Sequence, residues 1–115
     1  LSALLDAAES LGYARIVCAF QPHTYSRTKA LFHDFVEVLK EPDITLLAEI
    51  FAARESNDIG ISSRDLAEQI PGARYCATLP EVTAALRELA RPGDLILTVG
   101  AGDIYTAGEA LVKGE

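Results

Sequence analysis

The chain has 115 residues, of which 50% are hydrophobic and 23% are charged, and its formal net charge is −7 at pH 7. This composition fits one globular domain with its own core and excludes a disordered chain. The acidic balance argues against a general affinity for nucleic acid or for an anionic membrane surface. No apolar run approaches the ~20 residues that a membrane-spanning helix needs.

The hydrophobic pattern, taken in chain order, alternates between helices and short apolar strands. Strands without polar alternation are typical of a parallel sheet that is covered on both faces. Capping signals support two of the helices, because Ser62 and Asp65, and likewise Thr78 and Glu81, have capping-box spacing. The pattern predicts helices at 1–11, 25–40, 62–70, 78–90 and 104–113, strands at 15–20, 44–50, 73–77 and 95–100, and loops at 51–60 and 101–103.

Strands that alternate with helices of this length predict right-handed βαβ units. The fold class is therefore α/β, a Rossmann-like three-layer domain with a mainly parallel sheet. The Rossmann-half arrangement would give the strand order 3-2-1-4, and ligands of such sheets bind beyond the carboxyl ends of the strands, where the order reverses. The loops 21–24 (QPHT) and 100–103 (GAGD) would meet there, with 51–55 (FAARE) beside them.

The stretch 10–33 contains no Asp or Glu, but it contains Arg15, Arg27, Lys29 and two histidines. Cations are unfavourable in the first turn of a helix, because the helix start carries partial positive charge. One interpretation is chance, with these side chains simply solvated. The other is an anion site, in which free N–H groups at the helix start and the Arg27 guanidinium bind a carboxylate or a phosphate.

Two neighbours of Arg27 extend this hypothesis. His23 taken alone fits a capping or loop histidine, but beside Arg27 it can donate to the same anion. Tyr25 fits a half-buried position with its hydroxyl toward solvent. His33, in the middle of the predicted helix, fits a structural or exposed residue.

The segment Gly100, Ala101, Gly102 and Asp103 follows the last predicted strand. Glycine at this place suggests close approach of the backbone to a ligand. It is a weak dinucleotide fingerprint, because Tyr105 stands where the third glycine would fall and because the segment follows the last strand instead of the first. Asp103 fits equally well as the N-cap of the final helix.

Other chemistry has little support in the sequence. The chain has no GxxxxGK[ST] motif, no Cys/His/Ser set for covalent catalysis and no Cys or His at zinc spacing, so neither a catalytic residue nor a metal site is predicted. The chain by itself looks like one wall of a site. Cys18 and Cys76 fit buried free thiols of a reducing cytoplasm, and a disulfide between them is the alternative.

Four segments carry a family resemblance: FQPHTYSRT (20–28), EIFAARE (49–55), ISSRDLAEQI (61–70) and GDLILTVGAGDI (93–104). In this order they resemble the C-terminal domain of the Mur ligases of peptidoglycan synthesis, over nearly the whole chain. Family members often have arginine where this chain has Thr24, and no role is assigned to that position.

The resemblance implies that residues 1–115 are the amino-acid-binding, closing domain of a cytoplasmic ATP-dependent ligase. The N-terminal and central domains are absent, and ATP and Mg²⁺ would be bound mainly by the central one, so the isolated chain is expected to be inactive. The substrates implied are L-alanine, whose carboxylate Arg27 would contact, and UDP-N-acetylmuramate. The predicted substrate-binding residues are His23, Tyr25, Arg27, Gly100, Ala101, Gly102 and Asp103.

Two alternatives remain open on the sequence. One is the related ligase that recycles a muropeptide tripeptide, which would need a wider pocket beside Arg27. The other is a free-standing flavodoxin-like binding or regulatory module.

Overall fold

Helices and strands alternate along the part of the chain that the computed structural model describes, residues 2–100 together with Ile104, Thr106, Ala107 and Glu109. The helices are α1 (Ser2–Glu9), α2 (Tyr25–Ala30), α3 (Phe32–Val38), α4 (Ser63–Gln69) and α5 (Leu79–Leu89). The strands are β1 (Arg15–Gln21), β2 (Ile44–Ala48), β3 (Arg74–Cys76) and β4 (Asp94–Gly100).

The four strands form one sheet in the order β3-β2-β1-β4, and every neighbouring pair is parallel. In register, Val17 of β1 lies opposite Ile44 of β2 on one side and Ile96 of β4 on the other. The order reverses between β1 and β4, as the sequence predicts. The predicted Rossmann-like α/β class is therefore confirmed.

Alternate residues of the central strands point into two hydrophobic clusters, one on each face of the sheet, which gives three layers. The first cluster joins β1, β2 and α5 and includes Val17, Ala19, Leu46, Ala48, Cys76, Val82, Ala85, Leu86, Ile104 and Ala107. The second joins the same strands to α3 and α4 and includes Cys18, Phe20, Val36, Leu39, Leu47, Leu66 and Ile70.

The two cysteines belong to different layers of this core. Cys18 is buried in the second cluster and Cys76 in the first, and both thiols are free. The sheet separates them, which excludes the alternative of a disulfide. Burial raises the pKa of the Cys18 thiol to about 12, so this side chain acts as a small apolar residue.

The predicted helix at 25–40 is interrupted at Leu31, whose φ of −105° and ψ of 13° leave the helical region. Neither glycine nor proline marks this break in the sequence. Phe35 of α3 packs against Phe20 of β1 with ring centroids 5.2 Å apart. Because no local breaker accounts for the interruption, we attribute it to the tertiary packing of α3 on β1. Of the predicted helix 104–113, most residues lie outside the described part of the chain.

The capping signals are confirmed for α4 and modified for α5. Ser62 accepts a hydrogen bond from the Arg64 amide at 3.1 Å, and Asp65 accepts one from the Ser62 amide at 2.9 Å. At α5, Thr78 accepts from the Glu81 amide as predicted, but the Glu81 carboxylate accepts from Ala77, one residue earlier than a capping box requires.

Arg15 is placed away from the ligand edge of the sheet. Its guanidinium donates to both carboxylate oxygens of Asp94, at 3.1 Å and 2.7 Å, and ties the start of β1 to the start of β4. The far end of β1 lies roughly 20 Å away at the rise of a strand. Including Arg15 in the positively charged stretch of the anion hypothesis was therefore wrong, because neighbours in sequence are separated here by an extended strand.

Within the described residues, the structure has no helix with both the length and the apolar character required to cross a bilayer.

A matched pair of leucine substitutions tests the assigned core. Leu66 is fully buried and Leu11 is 64% exposed. We expect Leu66→Ala to lower the free energy of unfolding by about 2–5 kcal/mol, because it leaves a cavity, whereas Leu11→Ala should change it by less than about 0.5 kcal/mol. Urea denaturation followed by far-ultraviolet circular dichroism measures both. Equal effects of the two substitutions would contradict this assignment.

Candidate functional site

An open cleft of about 310 Å³ lies where the strand order reverses, at the carboxyl ends of β1 and β4. It brings three of the predicted residues, His23, Arg27 and Gly100, to one place. The cleft thus combines a cation, an imidazole and an exposed backbone with an apolar wall. Its lining is Phe20, Gln21, His23, Arg27, Leu31, Phe35, Val99 and Gly100.

Arg27 lies in the first turn of α2 with an exposed side chain. Its guanidinium has no hydrogen bond or ion pair with any residue that the structure describes. Arg15 and Arg74, by contrast, each pair with a carboxylate. A planar guanidinium without a protein partner, at the rim of a cleft, is available to bind a carboxylate or a phosphate in a bidentate manner.

His23 is held in place by the loop that follows β2. It forms an isolated parallel bridge with Phe51, in which the Thr24 amide donates to the Phe51 carbonyl and the Phe51 amide donates to the Pro22 carbonyl, both at 2.8 Å. The His23 and Phe51 rings stack with centroids 5.8 Å apart and an interplanar angle of 15°. The loop beside the switch point therefore fixes the imidazole against one edge of the cleft.

The other predicted site residues are placed differently. Tyr25 is half-buried, and the cleft is lined without it. Its backbone amide, at the start of α2, donates to the Glu55 carboxylate, and a contact of Tyr25 with substrate stays a prediction. Ala101, Gly102 and Asp103 lie outside the described residues, so their predicted contribution stays a prediction.

The amides at the start of α2 are occupied, contrary to the expectation that they are free for a ligand. One carboxylate oxygen of Glu55 accepts from the Tyr25 amide at 2.7 Å and from the Ser26 amide at 3.1 Å, and the other accepts from the Ser26 hydroxyl at 2.5 Å. Thr24 accepts from the Arg27 amide at 3.3 Å. The hypothesis of an anion site built on these amides was wrong, because the chain supplies its own anion there.

Glu55 lies at the ligand edge of the sheet, and the sequence analysis did not single it out. The hydrogen bonds from the Ser26 hydroxyl and amide, with that from Tyr25, hold the pKa of the Glu55 carboxyl below its ordinary value. A signal was present, since α2 has no acidic residue in its own first turn. The sequence pattern placed the loop 51–55 beside the loop 21–24, but it did not show that the Glu55 carboxylate would bind the amides at this helix start.

Thr24 carries backbone strain at the same place. Its φ of 63° with ψ of 150° is unusual for a β-branched residue, and such conformations cost on the order of 1–3 kcal/mol. It serves as the N-cap of α2, with its side-chain oxygen accepting from Arg27. Thr24, to which the resemblance assigned no role, is therefore the residue at which the chain turns into α2.

A half-buried carboxylate, Glu49, fixes the loop after β2. It accepts hydrogen bonds from the Tyr75 hydroxyl at 2.6 Å, the Ser62 hydroxyl at 2.7 Å and the Ser63 amide at 3.0 Å, and from the amide of Ile50. Burial by itself would raise the pKa of this carboxyl, but these donors outweigh burial and lower the pKa. Glu49 thereby joins the end of β2 to α4 and β3.

A second cleft, of about 270 Å³, opens beside the first at the ends of β1, β2 and β3. Gln21 lines both clefts and is buried, with its amide nitrogen donating to the Glu49 carbonyl at 3.2 Å. Its amide oxygen has no hydrogen-bond partner within the described part of the chain. Among the described residues, no group of three or more His, Cys, Asp or Glu side chains is arranged to hold a metal ion.

The profile of the Mur ligase family described as "Mur ligase, glutamate ligase domain" matches residues 1–102. The chain belongs to the Mur ligase family. The resemblance seen in FQPHTYSRT and the three later segments is confirmed. This Mur ligase domain is 45% identical to a UDP-N-acetylmuramate–L-alanine ligase of Agathobacter rectalis and 43% identical to one of Lachnospira eligens. Both alignments cover 98% of the chain and 26% of the relative, so the chain spans about a quarter of their length.

The Mur ligase fold also agrees with a solved structure. A crystal structure of a domain from Haemophilus ducreyi, described as part of a UDP-N-acetylmuramate:L-alanyl-gamma-D-glutamyl-medo-diaminopimelate ligase, aligns with a TM-score of 0.70. The alignment covers 98% of this chain and 79% of that one at 17% identity. At this identity the likeness establishes the shared fold alone.

Gly100 of the Mur ligase domain cannot carry a side chain without a shift of the cleft wall. A Cβ atom there would lie 2.7 Å from the Gln21 carbonyl oxygen, and φ is +156°. We expect Gly100→Ala to destabilise the fold by about 1–3 kcal/mol. Gly72→Ala is the control, because Gly72 also has positive φ but nothing within 4 Å of the added Cβ. Urea unfolding in which Gly100→Ala is no more harmful than the control would contradict the close contact.

The Glu49 network predicts an acid-dependent effect. Because the pKa of folded Glu49 lies below its ordinary 4.5, the stability it contributes is present above pH 4.5 and is lost as the pH falls through the folded-state pKa. We expect Glu49→Gln to cost about 1 kcal/mol near neutral pH. The difference in the free energy of unfolding between Glu49→Gln and wild type should become smaller as the pH falls below 4.5. Denaturation at several pH values measures this, with exposed Glu68→Gln on α4 as the control, and a constant difference would contradict it.

Proposed function

We propose that this Mur ligase domain is the C-terminal, amino-acid-binding domain of an ATP-dependent ligase that joins L-alanine to UDP-N-acetylmuramate. The names of the relatives from Agathobacter rectalis and Lachnospira eligens support this assignment. The observation that carries the mechanism is the guanidinium of Arg27, which lines the cleft at the switch point and has no partner among the residues that the structure describes.

The chemistry of the cleft fits a small amino acid. The Arg27 guanidinium would bind the α-carboxylate with two charge-assisted hydrogen bonds. His23, fixed by its stack on Phe51, would lie beside the same carboxylate. The apolar wall formed by Leu31 and Phe35 would face an uncharged side chain.

The contribution of this domain to the reaction would be positioning. By binding the carboxylate, Arg27 holds the amino group, which is the nucleophile, in a fixed direction and converts an encounter into a near-intramolecular step. Its positive charge also offsets negative charge that gathers around the reacting groups. Gly100 leaves room for the backbone at the cleft wall to approach the substrate.

ATP and Mg²⁺ would be bound mainly outside this chain. The sequence has no GxxxxGK[ST] motif, and two described carboxylates at this edge of the sheet, Glu49 and Glu55, are engaged by protein donors. We therefore propose that residues 1–115 form one closing domain that is inactive in isolation. The buried free thiols of Cys18 and Cys76 fit the reducing cytoplasm in which we place the enzyme.

The ligase that recycles a tripeptide is less well supported. The names of the relatives favour addition of L-alanine, and the Haemophilus ducreyi neighbour, at 17% identity, bears on the fold alone. Membership of the Mur ligase family likewise weighs against a free-standing flavodoxin-like module.

The proposed function predicts a selective kinetic defect at Arg27. In the full-length enzyme, Arg27→Ala should raise the KM for L-alanine roughly ten- to hundredfold, because a charge-assisted bidentate contact is lost, while the KM for ATP stays nearly constant. Arg27→Lys should restore little, because an ammonium cannot reproduce the planar fork. Steady-state kinetics with each substrate varied in turn measures both effects.

The control for Arg27 is Lys29→Ala, since Lys29 is an exposed cation of the same helix that does not line the cleft. It should leave both KM values within about twofold. Unchanged alanine kinetics in Arg27→Ala, with a normal melting curve, would contradict the proposed binding of the alanine carboxylate by Arg27.

A further inference from the structure

A single acidic side chain connects the loop after β2 to the helix that carries Arg27. Glu55 accepts from the amides of Tyr25 and Ser26 and from the Ser26 hydroxyl, at 2.7, 3.1 and 2.5 Å. Its carboxylate thus lies at the start of α2, where anions are favoured electrostatically. Two basic residues of that helix, Arg27 and Lys29, are left without an acid of their own in the first turn.

The same loop contacts the segment before α2 at a second place. The Phe51 backbone pairs with Pro22 and Thr24, and its ring stacks on His23. Phe51 and Glu55 therefore hold the two ends of the turn 22–26 from one side. Because Thr24 in this turn has a strained backbone, the turn needs such restraints to keep its conformation.

We infer that Glu55 is a positioning residue for Arg27: its hydrogen bonds fix the first turn of α2 so that the guanidinium faces the cleft and reads the substrate carboxylate. The inference rests on the proposed function of Arg27. Glu55 itself does not line the cleft. It acts through the three donors of residues 25 and 26.

In an alternative role, Glu55 would be a stand-in for the substrate: its carboxylate would occupy the amides at the start of α2 until the substrate carboxylate displaces it. Three hydrogen bonds, two of them at or below 2.7 Å, would have to break for this exchange. Ser26 and Glu55 are also outside the lining of the cleft that Arg27 faces. The geometry therefore favours a permanent clamp, and the rival makes the opposite prediction about affinity.

The test compares two nucleophiles in the full-length ligase, L-alanine and L-alaninamide, which lacks the negative charge. Selectivity is the ratio of their kcat/KM values at saturating ATP. Arg27→Ala should lower this ratio at least tenfold, because the guanidinium contacts the carboxylate. Glu55→Ala should lower it in the same direction, by roughly five- to fiftyfold, mainly through the KM for alanine. A purely structural role would reduce both kcat/KM values equally and leave the ratio unchanged.

Two further variants sharpen the result. Glu55→Gln keeps a carbonyl oxygen that can accept from both amides, so it should keep the ratio within about threefold of wild type. Asp58→Ala is the matched control, because Asp58 accepts from a serine hydroxyl, that of Ser56, within the same loop without reaching α2. It should leave the ratio unchanged.

The outcomes separate the inference from the function on which it rests. If Arg27→Ala keeps full selectivity, the proposed function fails. If Arg27→Ala loses selectivity but Glu55→Ala keeps it, the inference alone is overturned. A lower KM for alanine in Glu55→Ala would also overturn it, in favour of the displaced stand-in. If wild type gives no measurable rate with L-alaninamide, the test is whether Glu55→Ala changes the KM for alanine or kcat. A higher KM supports the positioning role, and a lower kcat with unchanged KM contradicts it.

Discussion

The pairing of β1 with β2 on one side and with β4 on the other determines where everything else in this domain lies. β1 is apolar on both faces, so it must be covered by α5 on one side and by α3 and α4 on the other. Its two parallel neighbours are reached by crossovers that run in opposite directions along the sheet. The chains leaving β1 and β4 therefore diverge, and the cleft opens between them.

The electrostatics of the cleft follow from how the start of α2 is satisfied. A helix start attracts negative charge, and here the chain meets that demand with Glu55 from a distant loop. This leaves the Arg27 guanidinium without a protein partner in the described residues. The Glu55 carboxylate that accepts from the amides forms no ion pair with Arg27, whose side chain lines the cleft while Glu55 does not.

Two glutamates thus fix the loop after β2 to different parts of the domain. Glu49 binds the beginning of the loop to α4 and β3, and Glu55 binds its middle to α2. The segment between them carries Phe51, which stacks on His23. A loop without regular secondary structure is in this way held at its beginning and in its middle, so that hydrogen bonds to neighbouring elements take the place of a helix or strand in supporting the binding edge.

The sequence by itself determined the fold class and the burial of both thiols, because hydrophobic periodicity and βαβ handedness are local in origin. The strand order and the place of the cleft followed from the Rossmann-half arrangement that this fold class suggests. The sequence also placed His23, Arg27 and Gly100 at one edge. It misjudged Arg15, the continuity of the helix after residue 25 and the freedom of the amides at its start. Those depend on contacts between residues far apart in the chain: Arg15 with Asp94, Phe35 with Phe20, and Glu55 with Ser26. Such pairings produce no periodic pattern in the sequence, because a single side chain from a distant segment is enough to form them. Only the tertiary structure therefore determined where these residues lie and what they contact.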